Sequence, residues 1–348
     1  MKIFFLTAII AVFLLCSTNG IQAQTDTQAE KLVKALKTTD CTSAKVIVAS
    51  IDSVDYMDKD NFSLLMYASA YGCIEVVKAL LEKGAKLDLQ KNTGETALMM
   101  ASSAGHSEVV KLLLDKGAKL DLRNTEGVTA LHVAVISRQI KPLKMLLDRG
   151  VKLDLQENHG ATALFIASQN GYSEVVKLLL DKGADLELPL KDGTTPLMKA
   201  SENGQIEVVK LLLDKGAKFD GQNNEGWTAL IFASQKGQNE VVKLLLDKRA
   251  KLDCQDNGGF TALMIASQFD HIEVVKLLLE RGAKLDLQVP SGPTALIIAS
   301  AQGNTDVVKL LLENGANTEL KTLEGKKALD YAKNTDIETL LTETKRKQ

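Results

Sequence analysis

The groups best able to hold a metal or move a proton are four histidines, His106, His132, His159 and His271. A zinc site needs several such ligands converging, for example two histidines one helical turn apart with a glutamate between them. Here each histidine stands alone in a different stretch of chain, so no metal site is expected. Carboxylates are plentiful but alternate with lysine, as in Glu108, Lys111 and Asp115. Spacings of three and four on a helix make such residues a solvated stripe, expected to form mutual ion pairs worth a few tenths of a kcal/mol each. There is no glycine-rich phosphate loop and no nucleophile elbow, and Gly258-Gly259 reads as the tip of a turn. The chain therefore predicts no catalytic residue, no metal and no cofactor, and it is read as non-enzymatic.

The elements that carry these residues are set by a period. Glycine recurs every 33 residues at Gly94, Gly127, Gly160, Gly193, Gly226, Gly259, Gly292 and Gly325. A fixed period of this length means stacked small units rather than one closed globule. Take residues 91 to 123 as the type unit. Lys91-Asn92-Thr93-Gly94 is turn chemistry, and Thr96 is placed to cap a short helix from Ala97 to Ala104. Gly105 ends that helix as a left-handed residue. Ser107 starts a second helix whose Val109, Val110, Leu112, Leu113 and Leu114 cover more than half its circumference. Such breadth needs both neighbouring units to bury it. Gly117 stops this helix, and Ala118 to Leu122 is expected to run extended toward the next turn.

This pattern resembles ankyrin repeats, in which a Gly-x-Thr-Pro-Leu-His turn and helix precede a Glu-Val-Val-x-Leu-Leu-Leu helix. The resemblance covers residues 58–321 as eight units and implies an all-α solenoid of helix-turn-helix units with β-hairpin-like loops. Residues 24–57 read as a worn N-terminal capping repeat with Lys31, Lys34, Lys37 and Lys45 toward water. Residues 322–348 read as a polar C-terminal capping repeat with a short basic tail. Capped at both ends, the chain is expected to be a monomer. Departures from the family pattern are informative: Thr-Pro-Leu survives only at Thr195-Pro196-Leu197, and the histidine after the leucine survives only as His132. The hydrogen bonds that this histidine makes between units are expected to be mostly absent.

Comparing the repeats with one another separates framework from ornament. Variation concentrates at the hairpin tips and at the end of the first helix. The resemblance implies that these two sets line a concave groove, about 80 to 100 Å long if ten units each advance one helix spacing. The partner-binding candidates are Tyr71, Asn92, Glu95, Asn158, His159, Asp192, Asn203, Glu225, Trp227, Lys236, Phe260 and Phe269. Trp227, Phe260 and Phe269 fall on adjacent units and are expected to form one aromatic patch, of the kind that anchors interfaces. The expected partner is a protein. With 42 Lys+Arg against 44 Asp+Glu there is no nucleic-acid footprint in the net charge. Three positions lack the usual glycine: Arg138, Arg249 and Asp270. The third unit also carries Pro142 and Met145 where Val and Leu recur, so local weakness is expected there.

The first 23 residues are different material. Lys2 is followed by an uncharged run from Ile3 to Leu15 and a small residue at Ala23, which describes a secretory signal peptide. The reading is an exported, bacterial-type protein, secreted or periplasmic. The alternative is a lipid-anchored spacer acylated at Cys16, the only form in which a membrane is expected to be involved. Cleavage after Ala23 leaves Cys41, Cys73 and Cys254, an odd number that excludes a fully paired framework. Cys41 and Cys73 occupy near-corresponding places in neighbouring units, which allows one bridge, but the residues favour separate small thiols. Cys254 stands where Leu122, Leu155 and Leu287 recur and reads as a core substitution.

Overall fold

The computed structural model describes residues 28–347. The apolar leader and Cys16, on which the export and lipidation expectations rest, lie outside the described residues. Most units start at a threonine that caps the first helix, and Ser63 does so for the helix Leu64–Ala70. Thr96 accepts a hydrogen bond from the Met99 N–H at 3.3 Å, and Thr162, Thr228, Thr261 and Thr294 repeat the bond to Phe165, Ile231, Met264 and Ile297. A cap of this kind is worth about 1 kcal/mol.

Nineteen α-helices follow among the described residues, paired as first and second helices. They are α1 Gln28–Lys37 and α2 Cys41–Ala49; α3 Leu64–Ala70 and α4 Ile74–Glu82; α5 Ala97–Ala104 and α6 Ser107–Asp115; and α7 Ala130–Ile136 and α8 Ile140–Asp148. Then come α9 Ala163–Gln169 and α10 Ser173–Asp181; α11 Pro196–Glu202 and α12 Ile206–Asp214; and α13 Ala229–Gln235 and α14 Asn239–Asp247. The last pairs are α15 Ala262–Gln268 and α16 Ile272–Glu280, and α17 Ala295–Gln302 and α18 Thr305–Glu313, before a single 3₁₀ turn, Ala328–Tyr331, and α19 Thr335–Lys347. First helices pack on first helices and second on second, in chain order. One interlayer core runs through them all, with Val110, Leu113, Leu179 and Leu212 fully enclosed between neighbours.

The loops between pairs are hairpin-like fingers. Lys91 N–H donates to Glu95 O at 3.1 Å and Gly94 N–H to Lys91 O at 2.7 Å, with Gly94 at φ 86° as the turn requires. No strand forms among the described residues, because each finger pairs with its neighbours through too few bonds to make a ladder. Arg138, Arg249 and Asp270 keep the left-handed backbone that glycine holds elsewhere, at φ 55°, 66° and 59°. Each such residue costs about 1 kcal/mol. Pro142 sits in the first turn of α8, where it breaks no intrahelical bond, and it is buried.

Four expectations are corrected. Glu75 and Lys78 pair along α4 at 2.8 Å, but the aspartates that end the later second helices pair across repeats. Asp115 meets Arg149 at 2.5 Å, Asp148 meets Lys182 at 2.9 Å, Asp181 meets Lys215 at 2.8 Å, Asp214 meets Lys248 at 3.0 Å and Asp247 meets Arg281 at 2.6 Å. Each partner is the residue that directly follows the last turn of the next second helix. The segment from Ala118 to Leu122 turns at Leu120–Asp121 instead of running extended. The turn aims Asp121 at the following repeat, where its Oδ1 accepts from the Lys152 N–H at 3.1 Å. Cys254 is half-buried, as are Leu122, Leu155 and Leu287, so the column is a flank of the stack and not its core. Finally, Cys41 and Cys73 are joined, with Cα atoms 5.3 Å apart. The cap helices α1 and α2 lie directly on α3 and α4, which brings the two sulfurs together.

Candidate functional site

The variable positions fall on the fingers and on the first helices, and these two sets meet. Within one repeat the Trp227 ring, from a finger, packs on Phe232 of α13 with centroids 5.0 Å apart. At the N-terminal end Phe62 packs on Tyr67 of α3 at 4.2 Å, and Lys91 of the next finger lies 5.6 Å over the Phe62 ring. In these two repeats the finger lays its fifth residue against the middle of its own first helix.

Along that face the first helices present Met100, Val133, Ile166, Phe232 and Ile298, all half-buried, four residues before the helix-end positions. Lys199 interrupts the apolar column. Its Nζ meets Glu202 Oε2 at 2.6 Å, while Lys236 Nζ stands 3.8 Å from Glu202 Oε1. One carboxylate between two ammonium groups leaves a surplus positive charge in the middle of the face. Beside it Gln169, Gln235 and Gln268 hold the same position on α9, α13 and α15, and no hydrogen bond engages their side-chain amides among the described residues.

These helices repeat so regularly that one family model covers nearly all of them. The model for ankyrin repeats (three copies) matches residues 65–157, 143–223, 216–289 and 284–346. The chain belongs to the ankyrin-repeat family. A comparison with curated proteins returned no match.

In this ankyrin stack several of the candidate side chains are bonded within the stack. The Asn158 amide donates to Thr125 O at 2.9 Å, Asn203 donates to Gln169 O at 2.9 Å, and Asn92 Oδ1 accepts from Asn61 at 2.6 Å. The two tip amides tie their fingers to the preceding one, and Asn203, at the end of α11, ties it to the end of α9. Glu95 is held by Lys91 at 3.5 Å and by the Thr93 hydroxyl. Asp192 turns inward to accept from the Thr194 N–H at 2.9 Å. Glu225 is exposed at its tip, and its carbonyl accepts from Asn257 N–H at 3.0 Å.

His159 is exposed and bonded through Nδ1 to Glu157 at 2.9 Å. Burial pushes the Glu157 carboxyl up, but hydrogen bonds from the Ala161 and His159 backbone outweigh it and hold the group below its usual range. Tyr71 ends α3, half-buried, and burial raises its hydroxyl. The aromatic trio does not form one cluster of touching rings. Trp227 turns to Phe232 in its own repeat, Phe260 is half-buried one repeat on, and Phe269 stacks on His271 at 6.3 Å with 47% of its surface exposed.

Of the other histidines, His106 and His271 bond the carbonyls of Ala70 and Gln235 in the preceding repeat, at 3.0 and 2.9 Å. His132 is buried. The Thr129 N–H donates to its Nδ1 at 3.3 Å, which puts the ring proton on Nε2, 3.3 Å from Ala161 O in the following repeat. Burial pulls its pKa below 6.5, keeping it neutral. No group of histidine, cysteine or carboxylate side chains able to hold a metal ion occurs among the described residues. Sequence reasoning missed Lys199, Glu202 and the glutamine row. Their signal was available, since aligning the repeats puts Lys199 in one column with Ile166 and Phe232, a helical turn before Asn203.

Proposed function

We propose that the chain is a non-enzymatic interaction module that holds a protein partner along the face made by its fingers and first helices. The observation that carries this reading is the contrast within that face. Ankyrin repeats are generally protein-interaction modules, and here charged, amide and aromatic groups gather between Lys199 and Phe269: the Lys199–Glu202–Lys236 cluster, the unbonded Gln235 and Gln268 amides, and the Trp227, Phe232, Phe260 and Phe269 rings. A preassembled stack loses little ordering entropy on binding, which favours recognition by shape. The leader supports export to an oxidising space such as the periplasm or cell surface, and the Cys41–Cys73 bridge is compatible with that setting.

The test is capture from the native envelope fraction with three purified forms: wild type, a face variant (Phe269→Ala with Lys236→Ala), and a control changed on the second helices (Lys210→Ala with Lys243→Ala). The partner should be retained by wild type and control and lost by the face variant. Equal capture by all three forms would overturn the assignment of this face.

A further inference from the structure

In several units the residue that precedes the second helix reaches back to the repeat before it. His106 Nε2 and His271 Nε2 meet carbonyls there at 3.0 and 2.9 Å, and the Gln238 amide donates to Glu202 O at 3.1 Å. In the first repeat this position is Cys73, and the reach becomes covalent through Cys41 of the cap. This is the one disulfide among the described residues, and it sits at the end of the stack. An end unit is held by a single interface, so it is the part of a solenoid that frays first.

The polar ties of the cap are few beside its apolar seam. Leu32, Leu36, Ala44 and Val48 are enclosed, and Lys83 donates to the carbonyls of Ala49 and Ile51 at 2.8 and 3.2 Å. Lys45 and Glu75 pair at 3.2 Å in the open, where an ion pair holds little.

We propose that Cys41–Cys73 is a redox latch: its reduction releases α1 and α2 while the repeats beyond remain stacked. The reductant is a dithiol. One of its thiolates attacks a sulfur of the bridge, the S–S bond breaks and a mixed disulfide forms. The second thiol then resolves it, so that Cys41 and Cys73 gain two electrons and two protons and the reductant leaves as a disulfide. Release also reaches the partner-facing side. Lys37, at the end of α1, lies 5.1 Å over the ring of Tyr67, whose hydroxyl donates to Asp58 at 2.6 Å. Opening the cap removes that cation and bares the sides of α3 and α4 that α1 and α2 cover.

The test is amide hydrogen exchange read by mass spectrometry on the full chain, with and without excess dithiothreitol, beside non-reducing peptide mapping. The map of air-oxidised protein should yield the linked Cys41–Cys73 peptide. On reduction, exchange in residues 28–49 should accelerate about 100-fold while α9 to α16 stay protected. Cys254→Ser should behave as wild type, and Cys41→Ser as the reduced form. Because reduction acts on protein already folded, the experiment stands even if Cys41→Ser fails to fold. Unlinked thiols in the oxidised protein, equal protection of the cap in both states, or an even loss across all repeats would each overturn the latch.

Discussion

The two faces of the stack use one 33-residue period in opposite ways. On the second-helix side five successive interfaces, from α6 to α16, are built from the same parts. An aspartate at the helix end meets the basic residue of the next repeat, and Asp88, Asp121, Asp154, Asp220 and Asp253 each accept a backbone N–H from the repeat that follows. On the first-helix side no two repeats present the same set, and several polar groups are left uncommitted. A solenoid thereby divides its labour by face: one side spends its chemistry on neighbours and the other keeps it.

The largest effect should come from the shared core. Leu212→Ala removes a fully enclosed side chain of α12 and should cost about 3 kcal/mol in urea-induced unfolding. Ile166→Ala, on the half-buried face, should cost under about 1.5 kcal/mol by the same measurement. Equal costs would break the comparison.

A smaller effect of opposite sign belongs to a row of serines. The hydroxyls of Ser69, Ser102, Ser168, Ser201, Ser234, Ser267 and Ser300 are buried with no hydrogen-bond partner in the chain. Ser168→Ala should raise stability by about 1 kcal/mol, seen as a higher denaturation midpoint. A lower midpoint would show that the hydroxyl has a role.

His132 gives a pH-dependent effect, also modest. Its folded pKa lies below the ordinary 6.5, so below neutrality the unfolded chain takes up the proton more readily. The stability it contributes is complete above about pH 7 and is lost as pH falls through 6.5 toward the depressed folded value. His132→Gln should flatten the melting temperature between pH 7 and pH 5. An unchanged slope would exclude His132 as its source.

The smallest effect is expected from the exposed ion pairs. Lys215→Met with Lys248→Met removes two rungs, yet the melting temperature in physiological salt should move by no more than about 1 °C. A larger fall would mean that the rungs act as a network.

The unit and its helices were legible because each boundary carries a residue with a backbone reason. Gly105 at φ 80° ends α5, and Thr96 begins it. The ties between repeats were not legible. The partner of Asp121 is the backbone N–H of Lys152, which no side-chain identity marks in advance. Exposure at Phe269 and Lys236 follows from their place at helix ends, whereas the cross-links that the Asn92 and Asn158 amides make to adjacent fingers carry no mark in the sequence. The cysteine pair was ambiguous because a separation of 32 residues suits a bridge and two thiols alike.

The carboxylate-to-backbone rung recurs at successive junctions, so internal modules share one kind of joint. Excising one 33-residue tile, or duplicating it, would bring together two edges that already match. Recombination between like segments of the gene therefore offers a route to a longer or shorter platform, one step at a time, with no compensating change elsewhere.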